Sequence, residues 1–151
     1  MEYPKRKTTR IPGYDYSKQN YYFVTICTHN KACLFWYENQ VNDLGKIAED
    51  CLLNVSKIYS DVKIEKYTVM PNHIHAVIAI EGGISLTQMI GQYKRAVTKE
   101  IHKAYPGLEV WQRSFHDHII RNQTDFERIW LYIHSNPQKW SEDCFYTTEE
   151  I

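Results

Sequence analysis

The chain has 151 residues, of which 43% are hydrophobic, 24% charged and 14% aromatic, the proportions of one compact folded domain. A domain of this size buries about two-thirds of the surface its unfolded chain would expose, which excludes a disordered chain, a collagen-like chain and a disulfide-stapled mini-protein. Lys plus Arg and Asp plus Glu number 18 each, so no net positive field argues for a polyanionic partner. No run of about 18 apolar residues is present and the opening MEYPKRKTTR lacks an apolar core, so the expectation is a cytoplasmic protein without membrane association.

Charge is less even along the chain than in the total. Lys5, Arg6, Lys7 and Arg10 crowd the start, and Glu142, Asp143, Glu149 and Glu150 gather near the end. A basic arm over roughly residues 1–12 reads either as a solvated tail or as a contact for a polyanion. Cys27, Cys33, Cys51 and Cys144 form no Cys-x-x-Cys pair, which argues against a zinc ribbon and for reduced packing thiols. With no repeat and no long linker, residues 1–151 are read as one domain.

In chain order, Pro12-Gly13 predicts a turn, and YYFVTICT over Tyr21 to Thr28 a strand rich in aromatic and β-branched residues. A short extended piece follows at Cys33 to Trp36. Val41, Leu44, Ile47, Cys51, Leu52, Val55 and Ile58 recur at threes and fours, predicting a helix over Val41 to Tyr59. Strands are expected at Val62 to Met70 and His73 to Ile80, joined by a tight Pro71-Asn72 turn. After Gly82-Gly83, Ser85 caps a helix whose stripe is Leu86, Met89, Ile90, Tyr93, Val97 and Ile101, with Arg95, Lys99 and Lys103 opposite. Val110 to Arg121 supplies a fourth strand, and Thr124-x-x-Glu127 reads as a capping box for a last helix from Asp125 to about Asn136, ended by Pro137. The order predicts an α+β, ferredoxin-like βαββαβ sandwich: an antiparallel sheet, two helices on one face, and an additional C-terminal helix.

Alternation along His73-Ile74-His75-Ala76-Val77-Ile78 sends both histidines to one face of their strand and Ile74, Ala76 and Ile78 to the other. Two same-face imidazoles can converge on one metal ion, or be incidental. On the last helix Phe126, Ile129, Trp130 and Ile133 read as the core stripe. At about 100° per residue, Tyr132 lies on the flank of that stripe, and Asn136 one turn further on the same flank. A hydroxyl nucleophile and an amide oxygen are thereby presented together, although a packing tyrosine is the ordinary role. His116 and His118 face away from Asp117 by alternation, which weakens them as a joint metal site, and His102 and His134 read as solvated. Ser and Cys nucleophile motifs and a phosphate-binding Gly-x-x-x-x-Gly-Lys loop are absent.

MPNHIHAVI at Met70 to Ile78 resembles the metal-binding motif of the HUH (His-hydrophobic-His) single-tyrosine transposases. RIPGYDYS at Arg10 to Ser17, YYFVTICTHN at Tyr21 to Asn30, WQRSFHDHIIRN at Trp111 to Asn122 and YIHSNPQKW at Tyr132 to Trp140 resemble the REP-associated tyrosine transposase branch, in order along nearly the whole chain. The resemblance implies His73 and His75 as metal ligands, Asn136 as the polar residue completing the site, and Tyr132 as the nucleophile. It also implies cleavage of single-stranded DNA to a 5′-phosphotyrosine and a free 3′-OH, which can later rejoin strands. A phenol with a pKa near 10 needs its proton removed or its phenolate favoured. A divalent cation, Mg²⁺ or Mn²⁺, can polarise the phosphate, and two imidazoles with one amide leave positions for phosphate oxygens.

The expected partner is single-stranded or hairpin DNA, which needs cations and aromatic rings at the surface. The candidates are Lys5, Arg6, Lys7 and Arg10 on the arm, Arg95 and Lys99 on the second helix, and Arg113 and Arg121 around the fourth strand. Relatives include dimers that exchange the tyrosine helix and forms that act as monomers, so a homodimer stays open. Two other readings are a non-catalytic ferredoxin-like nucleic-acid-binding module, with the histidines incidental, and a metal hydrolase, which finds no carboxylate beside the pair.

Overall fold

The computed structural model describes residues 20–142. The readings made on Lys5, Arg6, Lys7, Arg10, Pro12-Gly13, RIPGYDYS and Cys144 lie outside those residues. The elements are β1 (Asn20–Cys27), β2 (Trp36–Tyr37), β3 (Gln40–Val41), α1 (Asp43–Ile58), β4 (Val62–Met70), β5 (His73–Ile80), α2 (Leu86–His102), β6 (His116–Ile120) and α3 (Gln123–Ser135), with 3-10 turns at His29–Lys31 and Asn136–Glu142. The four long strands form one antiparallel sheet in the order β4-β5-β1-β6, the expected ferredoxin-like arrangement, while β2 and β3 make a small hairpin of their own. Among the described residues no helix is long and apolar enough to cross a membrane.

Alternation divides the sheet. Tyr22, Val24 and Ile26 of β1 join Ile74, Ala76, Ile78 and Ile80 of β5 in the main core, which α1 and α2 cover. The alternate residues Phe23 and Val77, with Ile120, pack against Ile129, Tyr132 and Ile133 of α3 on the other face.

The stripe expected of α2 is buried residue for residue, and Ser85 forms a reciprocal capping box with Gln88. The α1 stripe is corrected. Val41 lies before the helix in β3, Ile58 is exposed, and the buried positions are Gly45, Ala48, Leu52 and Val55. α1 approaches the Phe35 backbone so closely that a Cβ on Gly45 would stand 2.3 Å from Phe35 O, so small residues mark that contact. Asn42 caps the helix by accepting from Gly45 N at 2.9 Å, and its amide donates to Leu34 O at 2.9 Å. The extended piece expected at Cys33 to Trp36 is reduced to an isolated β-bridge at Cys33 and the start of β2 at Trp36.

The fourth strand is shorter than expected. Residues 110–112 run beside the end of β1, with Gln112 N donating to Cys27 O at 2.9 Å and His29 N to Val110 O at 2.9 Å, but regular pairing resumes only at His116. Between them Ser114 takes a positive φ of 74°, and Lys94 Nζ donates to Gln112 O and Ser114 O at 2.9 and 2.6 Å. The break is therefore made by a lysine on α2, outside the strand's own pattern.

The last helix ends at Ser135, capped by Asn136, as expected, but differs at its start and in how it ends. Its N-terminal cap is Asn122, whose side chain accepts from Asp125 N at 2.8 Å, so α3 begins before the Thr124-x-x-Glu127 box. At the other end Asn136 keeps helical angles (φ −59°, ψ −45°) although it precedes a proline, and the chain continues into 3-10 turns. Pro137 sits in the first turn of that segment, where its missing N–H costs little. Trp130, placed in the core stripe from sequence, is 36% exposed; Lys66 Nζ sits 4.9 Å from the centre of its ring.

Candidate active site

Antiparallel register places His75 opposite Thr25 on β1 and Thr68 on β4, and His73 opposite Cys27 and Met70. Both imidazoles are buried, at 0% and 1% exposure. Their Nε2 atoms are 3.1 Å apart and their Nδ1 atoms face side-chain oxygens, Asn72 Oδ1 at 2.8 Å for His73 and Thr25 Oγ1 at 3.0 Å for His75. The Pro71-Asn72 turn before the pair is tied down by Phe35 N donating to Pro71 O and Thr28 N to Asn72 O, each at 3.0 Å.

α3 lowers its tyrosine onto this pair. Tyr132 Oη lies 3.3 Å from His75 Nε2. The residue is 4% exposed, so it belongs to the buried face rather than to its flank as expected. Phe23 stacks on His75 with centroids 5.3 Å apart and meets the Tyr132 ring edge-on at 6.2 Å, fixing both rings. Asn136, one helical turn beyond Tyr132, is buried at 2% exposure, and the Trp140 ring centre lies 6.1 Å from that of His73. Sequence thus selected His73, His75, Tyr132 and Asn136. Thr25 and Phe23 were missed because only register reveals them; Asn72 stood inside the quoted MPNHIHAVI string.

Two imidazole edges face each other with both rings anchored from behind, and the buried Asn136 caps the helix that bears the tyrosine. Two borderline nitrogens and a harder oxygen are a donor set that suits a divalent cation. Among the described residues no three His, Cys, Asp or Glu side chains come together as a metal site.

The second histidine cluster does other work. His118 lies across from Phe23 on the α3 face and Asp117 across from Val24 on the core side, as alternation required. His118 Nε2 is 2.6 Å from Asp125 Oδ2, and Arg128 Nη2 donates to Asp125 Oδ1 at 2.6 Å, so the cluster ties α3 to β6. Partial burial pushes the Asp125 carboxyl up, but the His118 and Arg128 contacts outweigh it and hold the carboxyl below its usual range. His134 is exposed, 3.2 Å from Lys66 Nζ. His102, read as solvated, is half-buried, its Nε2 2.8 Å from Leu108 O.

The cations read from sequence are dispersed. Arg95 and Lys99 are exposed on α2, the helix on the far side of the sheet from the histidines. Arg113 is exposed in the loop before β6, and Arg121 just after it, in a recess with Tyr21 and Phe126. Lys66, overlooked from sequence, reaches from β4 to α3, because a bulge between Ile64 and Lys66 reverses the face that alternation from Val62 and Ile64 would assign it.

The family model for IS200-like transposases matches residues 15–136, from before β1 through the tyrosine helix to Asn136. This chain belongs to the IS200-like transposase family. It is therefore placed among enzymes that act on DNA, in DNA transposition. An uncharacterised protein of Haemophilus influenzae is 32% identical over 167 residues, covering 93% of each chain. The IS200-like transposase described here has the fold of a REP-associated tyrosine transposase solved with a REP hairpin, at TM-score 0.64 and 22% identity over 87% of this chain and 73% of that one. A candidate transposase of Deinococcus radiodurans shares the fold at TM-score 0.57 and 17% identity, over 84% and 96% of the two chains.

Proposed function

We propose that this transposase cleaves and rejoins single-stranded DNA through a covalent 5′-phosphotyrosine on Tyr132, with Mg²⁺ or Mn²⁺ held by His73, His75 and Asn136. The observation that carries the reading is the approach of Tyr132 Oη to 3.3 Å from His75 Nε2, itself 3.1 Å from His73 Nε2. A packing tyrosine has no need to end against a pair of convergent imidazoles.

In this reading Tyr132 Oη attacks the scissile phosphorus as the bond to the 3′ oxygen breaks, and the phenol proton passes by way of solvent to that oxygen, which leaves as the 3′-OH. The reverse attack by a 3′-OH on the phosphotyrosine rejoins strands and frees the phenol. When bound, the metal supplies polarisation of the phosphate and stabilises its developing charge. The chain supplies the rest: Phe23, Ile129 and Ile133 hold the Tyr132 ring and exclude water around it, and α3 sets where Oη stands.

Hairpin DNA is the substrate form this reading favours, supported by the hairpin in the structurally similar REP-associated transposase. The approach of Tyr132 to His75 within one chain supports a site formed in cis; light scattering of the purified protein would show whether a dimer exists, in which exchange of α3 would rebuild the site between chains.

The test is incubation of labelled single-stranded hairpin oligonucleotides with the protein and Mn²⁺. The expected result is a DNA adduct that survives denaturation and disappears in Tyr132→Phe while DNA binding persists. An undiminished adduct in that variant would remove Tyr132 as nucleophile, and binding without any adduct in the wild type would favour a non-catalytic DNA-binding module.

A further inference from the structure

The two histidines differ in what stands behind their rings. His73 Nδ1 faces Asn72 Oδ1 at 2.8 Å, and the orientation of that amide is set because Asn72 Nδ2 donates to Lys31 O at 3.2 Å. An amide oxygen only accepts, so His73 Nδ1 carries the ring proton and the neutral ring turns a lone pair on Nε2 toward His75. His75 Nδ1 instead faces the Thr25 hydroxyl at 3.0 Å, which donates or accepts as its hydrogen rotates. One ring is committed to a single tautomer and the other is free to change.

The residue that commits His73 is itself firmly placed. Asn72 is 1% exposed and sits in the two-residue turn whose carbonyls accept from Thr28 N and Phe35 N, so its amide is part of the rigid sheet end.

We propose that Asn72 is a positioning residue of the metal centre: it fixes His73 in the Nδ1–H tautomer and presents its Nε2 lone pair before any metal arrives, while Thr25 lets His75 change tautomer on binding. In the metal-free state His75 Nε2–H donates to His73 Nε2 across the 3.1 Å gap, and the Thr25 hydroxyl donates to His75 Nδ1. On binding, the His75 ring proton passes from Nε2 to Nδ1 with no net gain or loss, and the Thr25 hydroxyl turns to accept it. The inference rests on the metal reading made above, but its first readout needs neither metal nor DNA.

That readout is the ring-nitrogen NMR spectrum of ¹⁵N-histidine-labelled, metal-free protein at about pH 8, where an ordinary imidazole is neutral. The expected spectrum shows His73 protonated at Nδ1 and bare at Nε2. In Asn72→Ala the two tautomers of His73 mix and Mn²⁺ affinity by calorimetry falls about 10–100-fold. Asn72→Asp loses the donation to Lys31 O but keeps an acceptor at the same reach, and so restores the His73 Nδ1–H signal that Asn72→Ala loses. Thr25→Val, an isosteric change that preserves the strand, leaves the His73 tautomer as in wild type. His73 protonated at Nε2 in the wild type, or an Asn72→Ala variant matching wild type in tautomer and affinity, would overturn the positioning role and leave the metal reading standing. Wild-type protein that binds no Mn²⁺ would overturn the metal reading and this inference together.

Discussion

On the side of the sheet covered by α1 and α2, the strands present Tyr22, Val24, Ile26, Ile74, Ala76, Ile78 and Ile80 to an apolar layer. The helix tyrosine buried there, Tyr93, donates its hydroxyl to Ala48 O at 2.8 Å, and burial pushes its phenol well above the usual range, which keeps it a neutral donor. On the side covered by α3, alternate residues of the same strands bury Thr25, Thr68, His73 and His75, and the helix tyrosine there ends against an imidazole. Buried polar groups destabilise a fold unless each is partnered. The first face is thus a largely apolar layer, whereas the second combines a smaller apolar cluster with buried polar groups that partner one another.

The sharpest break between the faces is the response to losing a histidine. His73→Ala or His75→Ala should abolish divalent-ion-dependent cleavage, a loss of at least about 100-fold in adduct yield, because too few protein ligands remain; circular dichroism should still report a folded chain. The counterpart on the other face is Leu52→Ala. It should lower unfolding free energy by about 2–5 kcal/mol in urea titrations, while cleavage per folded molecule stays at the wild-type level. If Leu52→Ala proved as harmful to cleavage as a histidine change under conditions where it is folded, the division between the faces would fail.

Two smaller effects sharpen the comparison. Tyr93→Phe removes one buried hydrogen bond and should cost about 1 kcal/mol of stability with unchanged cleavage, the opposite of what Tyr132→Phe should do. Asp125 anchors α3 to β6 through His118 and pairs with Arg128 within α3, and its carboxyl is held below the ordinary range. A depressed folded value contributes stability that is present above the unfolded pKa, near 4, and lost as pH falls through the folded one. Asp125→Asn should remove that acid-side slope, changing neutral-pH stability by on the order of 1 kcal/mol for a partly solvated cluster. Urea midpoints measured from pH 7 down through the acid range check it, and an unchanged slope would mean the cluster contributes no linkage.

How much of this was legible depended on whether the cause lay in the local pattern. The α2 stripe was, because large apolar side chains recur at helical spacing and all of them are buried. The α1 contact was less so, since Gly45 and Ala48 mark it by being small. The break before β6 comes from Lys94, about twenty residues earlier, bonding carbonyls around Ser114, and no strand pattern contains it. At the site, His73, His75, Tyr132 and Asn136 stood out through motif and helical spacing. Thr25 and Phe23 became partners of His75 only through the pairing of β1 with β5, a relation across fifty residues that periodicity does not carry.

The central claim is that Tyr132 is the residue that becomes joined to DNA. The direct measurement is proteolysis of the denaturation-resistant adduct formed with Mn²⁺ and hairpin DNA, followed by mass spectrometry of the cross-linked peptide. The expected result is a nucleotide phosphate on the α3 peptide, at Tyr132. A nucleotide on any other tyrosine, or on the Tyr93 peptide from the opposite face of the sheet, would contradict the account.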